Sequence, residues 1–187
     1  MTFSAKFAIS PTQIKGVLVI EPKVLGDESG WFMESFSAQD LEDVIGSDVK
    51  FVQDNQSLSK QWTLRGMHWQ TEKPQGKLVR VIQGSVFDVV VDVRKNSATY
   101  SKSVSVELSA ENHKQMWIPA GLAHGFLVLS PTAEILYKTT DYYHPQSEMC
   151  LAWNDLEVGI SWPLPDGIEP FMSAKDRQGL LLKQLAC

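Results

Sequence analysis

Lys77-Leu78-Val79-Arg80-Val81-Ile82-Gln83-Gly84-Ser85-Val86-Phe87-Asp88-Val89-Val90-Val91-Asp92-Val93 reads as two strands with a glycine between them. In the second half, Phe87, Val89, Val91 and Val93 fall on one face, and Val86, Asp88, Val90 and Asp92 on the other. Successive side chains of a strand point to opposite faces. The pattern therefore gives one face to a core and the other to a polar interior or to solvent. Gly84 predicts a tight hairpin.

The same texture runs outward in both directions. Strands are predicted over Val17–Ile20, Gly30–Phe36, Val49–Gln56, Leu64–Gln70, Ser103–Leu108, Gln115–Ile118, Gly125–Leu129 and Ala133–Thr140. Two segments break it. Ser37-Ala38-Gln39-Asp40 has the form of a capping box, and Leu41, Val44 and Ile45 follow at helical spacing. Ser173-Ala174-Lys175-Asp176 has the same form and leads into Leu180, Leu181, Leu182 and Leu185. The expectation is a mainly β, antiparallel sandwich or barrel, with short helices near the N-terminal third and at the C-terminus. No linker or repeat divides residues 1–187, so one domain is expected, closed by a C-terminal segment from about residue 163.

Composition narrows the function. An apolar fraction of 43% in 187 residues suits one domain with a full core. A net charge of −5 argues against nucleic-acid and anionic-membrane surfaces. The two cysteines, Cys150 and Cys187, form no ladder or C-x-x-C pair, which fits a reducing compartment. Met1 to Ser10 lacks the apolar core of a signal peptide, and no run is long enough to span a bilayer. A cytoplasmic location is expected.

Few residues can carry proton chemistry at neutral pH. His68 lies in a predicted strand beside Trp69, and is either a packed histidine or a general base. Arg65 and His68 would face opposite ways on a regular strand, unless Gly66 marks a bulge. His124 ends Pro119-Ala120-Gly121-Leu122-Ala123-His124, the order of the second signature of cupin barrels. Many cupins use that histidine for a metal. Here the second histidine of the first signature is replaced by Gln70, a poor ligand for a transition metal, so no metal is expected. Asp176 reads equally as a helix cap, and Tyr137 and Tyr143 as core or rim aromatics. Asp88, on the polar face of its strand, is a candidate carboxylate partner for His68.

Together, several segments resemble the dTDP-4-dehydrorhamnose 3,5-epimerase family. They include Gln53-Asp54-Asn55, Leu64-Arg65-Gly66-Met67-His68, Gln75-Gly76-Lys77-Leu78-Val79-Arg80, Trp117-Ile118-Pro119-Ala120-Gly121-Leu122-Ala123-His124-Gly125-Phe126, Tyr137-Lys138-Thr139-Thr140-Asp141-Tyr142-Tyr143, Trp153-Asn154-Asp155 and Ser173-Ala174-Lys175-Asp176. The resemblance implies a homodimeric cupin-type jelly roll that epimerises a dTDP-linked 4-keto-6-deoxy sugar without cofactor or metal. It implies His68 as base, Asp176 as its orienting partner, Tyr137 as proton donor and Lys77 beside the keto oxygen. It implies substrate contacts from Gln53, Asn55, Arg65, His124, Tyr143, Glu148 and Lys175, and from Phe32 and Glu34 across the dimer. Two positions depart from the family: Ser29 stands where an arginine that contacts the diphosphate is usual, and Gln56 where histidine is usual.

Overall fold

The structure is a computed structural model and describes residues 2–3 and 6–185. Its strands are β1 (Thr2–Phe3), β2 (Phe7–Pro11), β3 (Leu18–Pro22), β4 (Leu25–Asp27), β5 (Gly30–Phe32), β6 (Gln53–Lys60), β7 (Leu64–Gln70), β8 (Lys77–Gln83), β9 (Ser85–Val91), β10 (Ser103–Ser109), β11 (Gln115–Ile118), β12 (Ala123–Val128), β13 (Thr132–Thr139) and β14 (Glu148–Cys150). Helix α1 spans Ala38–Ile45, and two single turns, α2 (Ala174–Arg177) and α3 (Leu182–Leu185), end the chain. A seven-stranded sheet runs β1-β2-β3-β11-β8-β13-β6 and a five-stranded sheet runs β10-β9-β12-β7-β14. The mainly β, antiparallel jelly-roll architecture is as expected. The barrel is two facing sheets rather than one continuous ladder.

Gly84 corrects the hairpin expectation. β8 and β9 are not paired: β8 lies between β11 and β13, and β9 between β10 and β12. Gly84 is the corner at which the chain crosses from one sheet to the other. Its φ is +73°, and a Cβ there would stand 2.0 Å from the Thr132 carbonyl oxygen. Only glycine meets both conditions cheaply. The crossing explains the alternation in β9. Val86 and Val90 face the space between the sheets, with Val79, Val81, Met116 and Ile118. Val89, Val91 and Phe87 face outward under a second layer with Met67, Leu151, Leu182 and Trp162. Both faces are covered, and the Asp88 face is the interior.

Several boundaries shift. The sixth strand is Gln53–Lys60 rather than 49–56, because Val49 and Phe51 pack with Phe36 and Trp117 beneath α1 instead. The predicted strand at 30–36 stops at Phe32. Strands β1, β2, β4 and β14 escaped the reading. The C-terminal helix is broken at Gly179, where a Cβ would stand 2.8 Å from the Ala152 backbone. Leu180 instead exchanges backbone hydrogen bonds of 2.8 Å with Cys150 and Ala152. Phe171 does likewise with Trp62 and Leu64. The tail is thus laid along the outside of the five-stranded sheet, and α2 arrives beside β7.

Candidate active site

The space between the sheets is apolar at one end and polar at the other. The polar end is a cavity of about 590 Å³, a size that suits a small-molecule ligand. It is lined by Gln53, Asn55, Arg65, His68, Lys77, His124, Tyr137, Tyr143, Glu148, Lys175 and Asp176. Those residues come from β6, β7, β8, β12, β13, β14, α2 and the loop after β13. Of the residues marked in the sequence, Phe32 and Glu34 lie elsewhere. Phe32 is exposed on the β4–β5 ribbon, and Glu34 pairs with Lys6 at 2.8 Å.

Strand register places the histidines. His124 pairs with both Val90 and His68, and His68 pairs with Cys150, so one row of side chains crosses four strands on the inner face. Phe126 pairs with Arg65 while His124 pairs with His68, so β7 carries one residue more than β12 between them. That bulge puts Arg65 and His68 on the same cavity. Glycines allow it. A Cβ on Gly66 would lie 2.5 Å from the His124 carbonyl oxygen, and one on Gly125 2.6 Å from the Arg65 carbonyl oxygen. Bulges of this kind re-aim side chains next to functional sites.

Each histidine has its own carboxylate. His68 Nε2 lies 2.6 Å from Asp176 Oδ1, and His124 Nε2 lies 2.9–3.0 Å from the two oxygens of Asp88. Asp88 is therefore committed to His124. Asp176 is almost wholly buried. Burial alone would raise its pKa, but hydrogen bonds from His68, the Ser173 hydroxyl and the Gly66 amide outweigh it and hold the carboxyl below 3.8. The cap and the dyad are one device: the Asp176 amide donates to Ser173 Oγ at 3.1 Å, while that hydroxyl donates to Asp176 Oδ2 at 2.8 Å. An ionised Asp176 keeps the imidazole proton on Nε2, and leaves the Nδ1 lone pair for a ligand. Nδ1 sits on the side of Glu148, 4.0 Å from its Oε1.

The opposite wall belongs to the seven-stranded sheet. Tyr137 on β13 pairs across the ladder with Asn55 and Val79. Burial, then the charge of Glu148, raise its phenol pKa above 10, against smaller pulls from Arg65 and Lys175. Tyr137 is protonated at neutral pH. Lys77 donates to the His68 carbonyl at 3.3 Å, and desolvation brings its pKa from 10.5 to about 8, with Glu148 and Asp88 limiting the fall. Burial also works against Glu148, yet Lys175 and Tyr143, each 2.7 Å from Oε2, keep it ionised.

The rim is tied by amides. Gln53 donates to Asn55 at 2.8 Å and accepts from the Tyr143 amide at 3.2 Å. Gln70 and Gln75 were not expected at the site. They donate to Lys73, Tyr142 and Asp141 carbonyls, and so hold the loop that carries Tyr143. Gln70, which stands in the cupin metal position, is spent on these bonds. Asp155 was also missed as a positioning residue. Its carboxylate accepts the amides of Glu157, Val158 and Leu182, which fastens the tail that delivers Asp176.

A protonated phenol on one sheet and a carboxylate-held imidazole on the other share one cavity of a cupin-type jelly roll. The sequence model described as dTDP-4-dehydrorhamnose 3,5-epimerase matches residues 11–184, and the chain belongs to that family of isomerases. It is 55% identical to the Salmonella typhimurium dTDP-4-dehydrorhamnose 3,5-epimerase, over 92% of this chain and 94% of that one. The Legionella pneumophila dTDP-6-deoxy-D-glucose-3,5-epimerase, solved with dTDP-4-keto-L-rhamnose, superposes with a TM-score of 0.90. It is 48% identical, over 95% of this chain and 93% of that one. A 3'-monoepimerase from Streptomyces bikiniensis, solved with dTDP-quinovose, has the same fold at a TM-score of 0.87. It is 32% identical, over 92% and 87%.

Proposed function

We propose that the chain inverts both carbons flanking the ketone of a dTDP-linked 4-keto-6-deoxyhexose, with His68 as base and Tyr137 as acid. The observation that carries this is the origin of the two groups. They stand on facing sheets, and a sugar ring between them offers one face to each. The ketone acidifies the hydrogens on the neighbouring carbons. His68 Nδ1 removes one, the electron pair moves onto the keto oxygen, and Tyr137 returns a proton from the opposite face. Lys77, as an ammonium beside that oxygen, stabilises the developing charge. Arg65, whose Nε is steadied by Ser59 at 3.0 Å, suits a diphosphate oxygen. Asn55, Gln53, His124, Glu148 and Lys175 contribute polar contacts, and Tyr143 a stacking surface for the base.

The two-carbon reading is favoured over a single-carbon epimerase by the higher identity to 3,5-epimerases, 55% against 32% for the 3'-monoepimerase. Incubation with dTDP-4-keto-6-deoxyglucose in deuterated water tests it. Deuterium at both carbons is expected, and exchange at one carbon alone would make the chain a monoepimerase.

The homodimer belongs to the same proposal. Leu25, Trp31 and Phe32 are 54, 60 and 63% exposed on the β4–β5 ribbon, an apolar surface suited to a second copy. From there Phe32 and Glu34 reach the partner's cavity. Ser29 closes the ribbon's turn, with its amide and hydroxyl donating to Asp27 at 2.8 and 2.6 Å. It brings no cation to the diphosphate. Among the described residues no helix is long and apolar enough to cross a membrane, and a cytoplasmic site of action is part of the proposal.

The lysine sets an alkaline limit. Lys77 is charged below pH about 8 and neutral above it. Turnover should therefore fall as pH rises through that value. Lys77→Arg, which keeps its charge, should shift the limb upward even if its maximum rate is lower. A limb at the same pH in Lys77→Arg would remove Lys77 from the role.

A further inference from the structure

Cys150 has no part in the proton transfers, yet it stands against them. It is the cross-strand neighbour of His68 on β14. A ring nitrogen of His68, Cys150 Sγ and a carboxylate oxygen of Asp176 all lie within 4.8 Å of one another, and Nε2 is the nitrogen that faces Asp176. The three ligand atoms come from three elements, β7, β14 and α2, and imidazole, thiolate and carboxylate are the donors that zinc accepts. The His68 side chain is 24% exposed on the cavity wall, which gives an ion a path inward.

We infer that His68, Cys150 and Asp176 form a site for a thiophilic divalent cation such as Zn²⁺, and that its occupation switches the enzyme off. Bonds of roughly 2.0–2.3 Å to each ligand need ligand atoms roughly 3–4 Å apart. The cluster, spread over no more than 4.8 Å, draws in around the ion on the cysteine side, and the His68–Asp176 pair, at 2.6 Å, must open by about an ångström to admit it. The ion takes the place of the proton shared by that pair. The Cys150 thiol gives its proton to solvent. The imidazole proton leaves Nε2 for Nδ1, where the base needs its lone pair. The metal inhibits by fixing the wrong tautomer, without touching Tyr137 or Lys77. The inhibition rests on the reading of His68 as base, whereas the binding does not.

The two are therefore measured separately, in a Cys187→Ser background that leaves Cys150 as the one thiol. Co²⁺ titration is expected to give a thiolate-to-cobalt charge-transfer band at one equivalent, lost in Cys150→Ser. Zn²⁺ is expected to inhibit epimerisation, with the half-inhibiting concentration raised at least tenfold in Cys150→Ser. That variant, without metal, should turn over within about twofold of its parent. Absence of the cobalt band, or equal zinc sensitivity of parent and Cys150→Ser, overturns the site. A cobalt band without zinc inhibition overturns the switch, and directs doubt at His68 as base instead.

Discussion

His68→Asn is expected to abolish solvent-deuterium exchange at both carbons, a loss at the upper end of the roughly 10²–10⁴-fold that a positioned base supplies, while dTDP binding stays within about twofold. Asparagine keeps a polar side chain, whose amide reaches only as far as Nδ1 and stops short of Asp176, and it has no basic lone pair. The cavity holds a second candidate, His124, whose Nε2 is tied to Asp88. Burial separates the two: the His68 side chain is 24% exposed and that of His124 is 9%. The two are direct cross-strand neighbours, so a sugar placed against one lies close to the other. NMR of the sugar carbons in deuterated water decides between them. Exchange that persists in His68→Asn would move the base to His124. Exchange that persists at one carbon only would mean that each histidine serves its own carbon.

Much of this arrangement was legible in the sequence, and the exceptions share one cause. Leu64–Gln70, Lys77–Gln83 and Gln115–Ile118 were placed to the residue, because their side chains alternate between a core and a covering layer. β6 was misplaced because it lines the ligand cavity. Gln53, Asn55 and Ser57 face inward there, so its buried side is polar and carries no hydrophobic signal. The apolar residues just before it drew the reading toward the helix-covered patch. Gly84 misled for a related reason. A positive-φ glycine between two strands fits a hairpin and a sheet-to-sheet corner equally. What decides is whether a third strand claims each partner, and that is a long-range fact.

The site shows the same division. His68, Asp176, Tyr137 and Lys77 entered as residues matched to a family pattern, with the bulge at Gly66 the one geometric requirement that the sequence itself posed. The ladder meets it by setting two steps of β12 against three steps of β7. The supports were not legible. Asp155, Gln70 and Gln75 act on backbone amides and carbonyls far away in the chain, and no spacing rule announces such a bond. Asp176 presented a choice between helix cap and partner of His68, and its carboxylate makes both contacts. The turn capped by Ser173 is what aims the carboxylate, so removing the cap should disturb the dyad as well as the tail.

Tyr137→Phe should separate the two halves of the reaction. The variant keeps the ring, its packing against Val79 and the core, and every group on the His68 side, and loses only the phenolic proton. Its pKa lies above 10 because of burial and the nearby Glu148 charge, so in the parent the phenol is a donor across the whole working range and never a base. His68 still forms the enolate in the variant. The proton then returns from the side it left, and configuration is retained. Each such cycle lets the imidazolium trade its proton with solvent, so deuterium enters the sugar without inversion. Net epimerisation is expected to fall about a hundredfold or more, with wash-in surviving at a measurable fraction of the parent rate. The two rates come from one experiment, in which deuterium content and configuration at each carbon are read from the same NMR spectra. Inversion at the parent rate would show that water or another side chain delivers the proton. Loss of wash-in together with inversion would show that the phenol helps to form the enolate, and would place its hydroxyl at the keto oxygen rather than at the carbon.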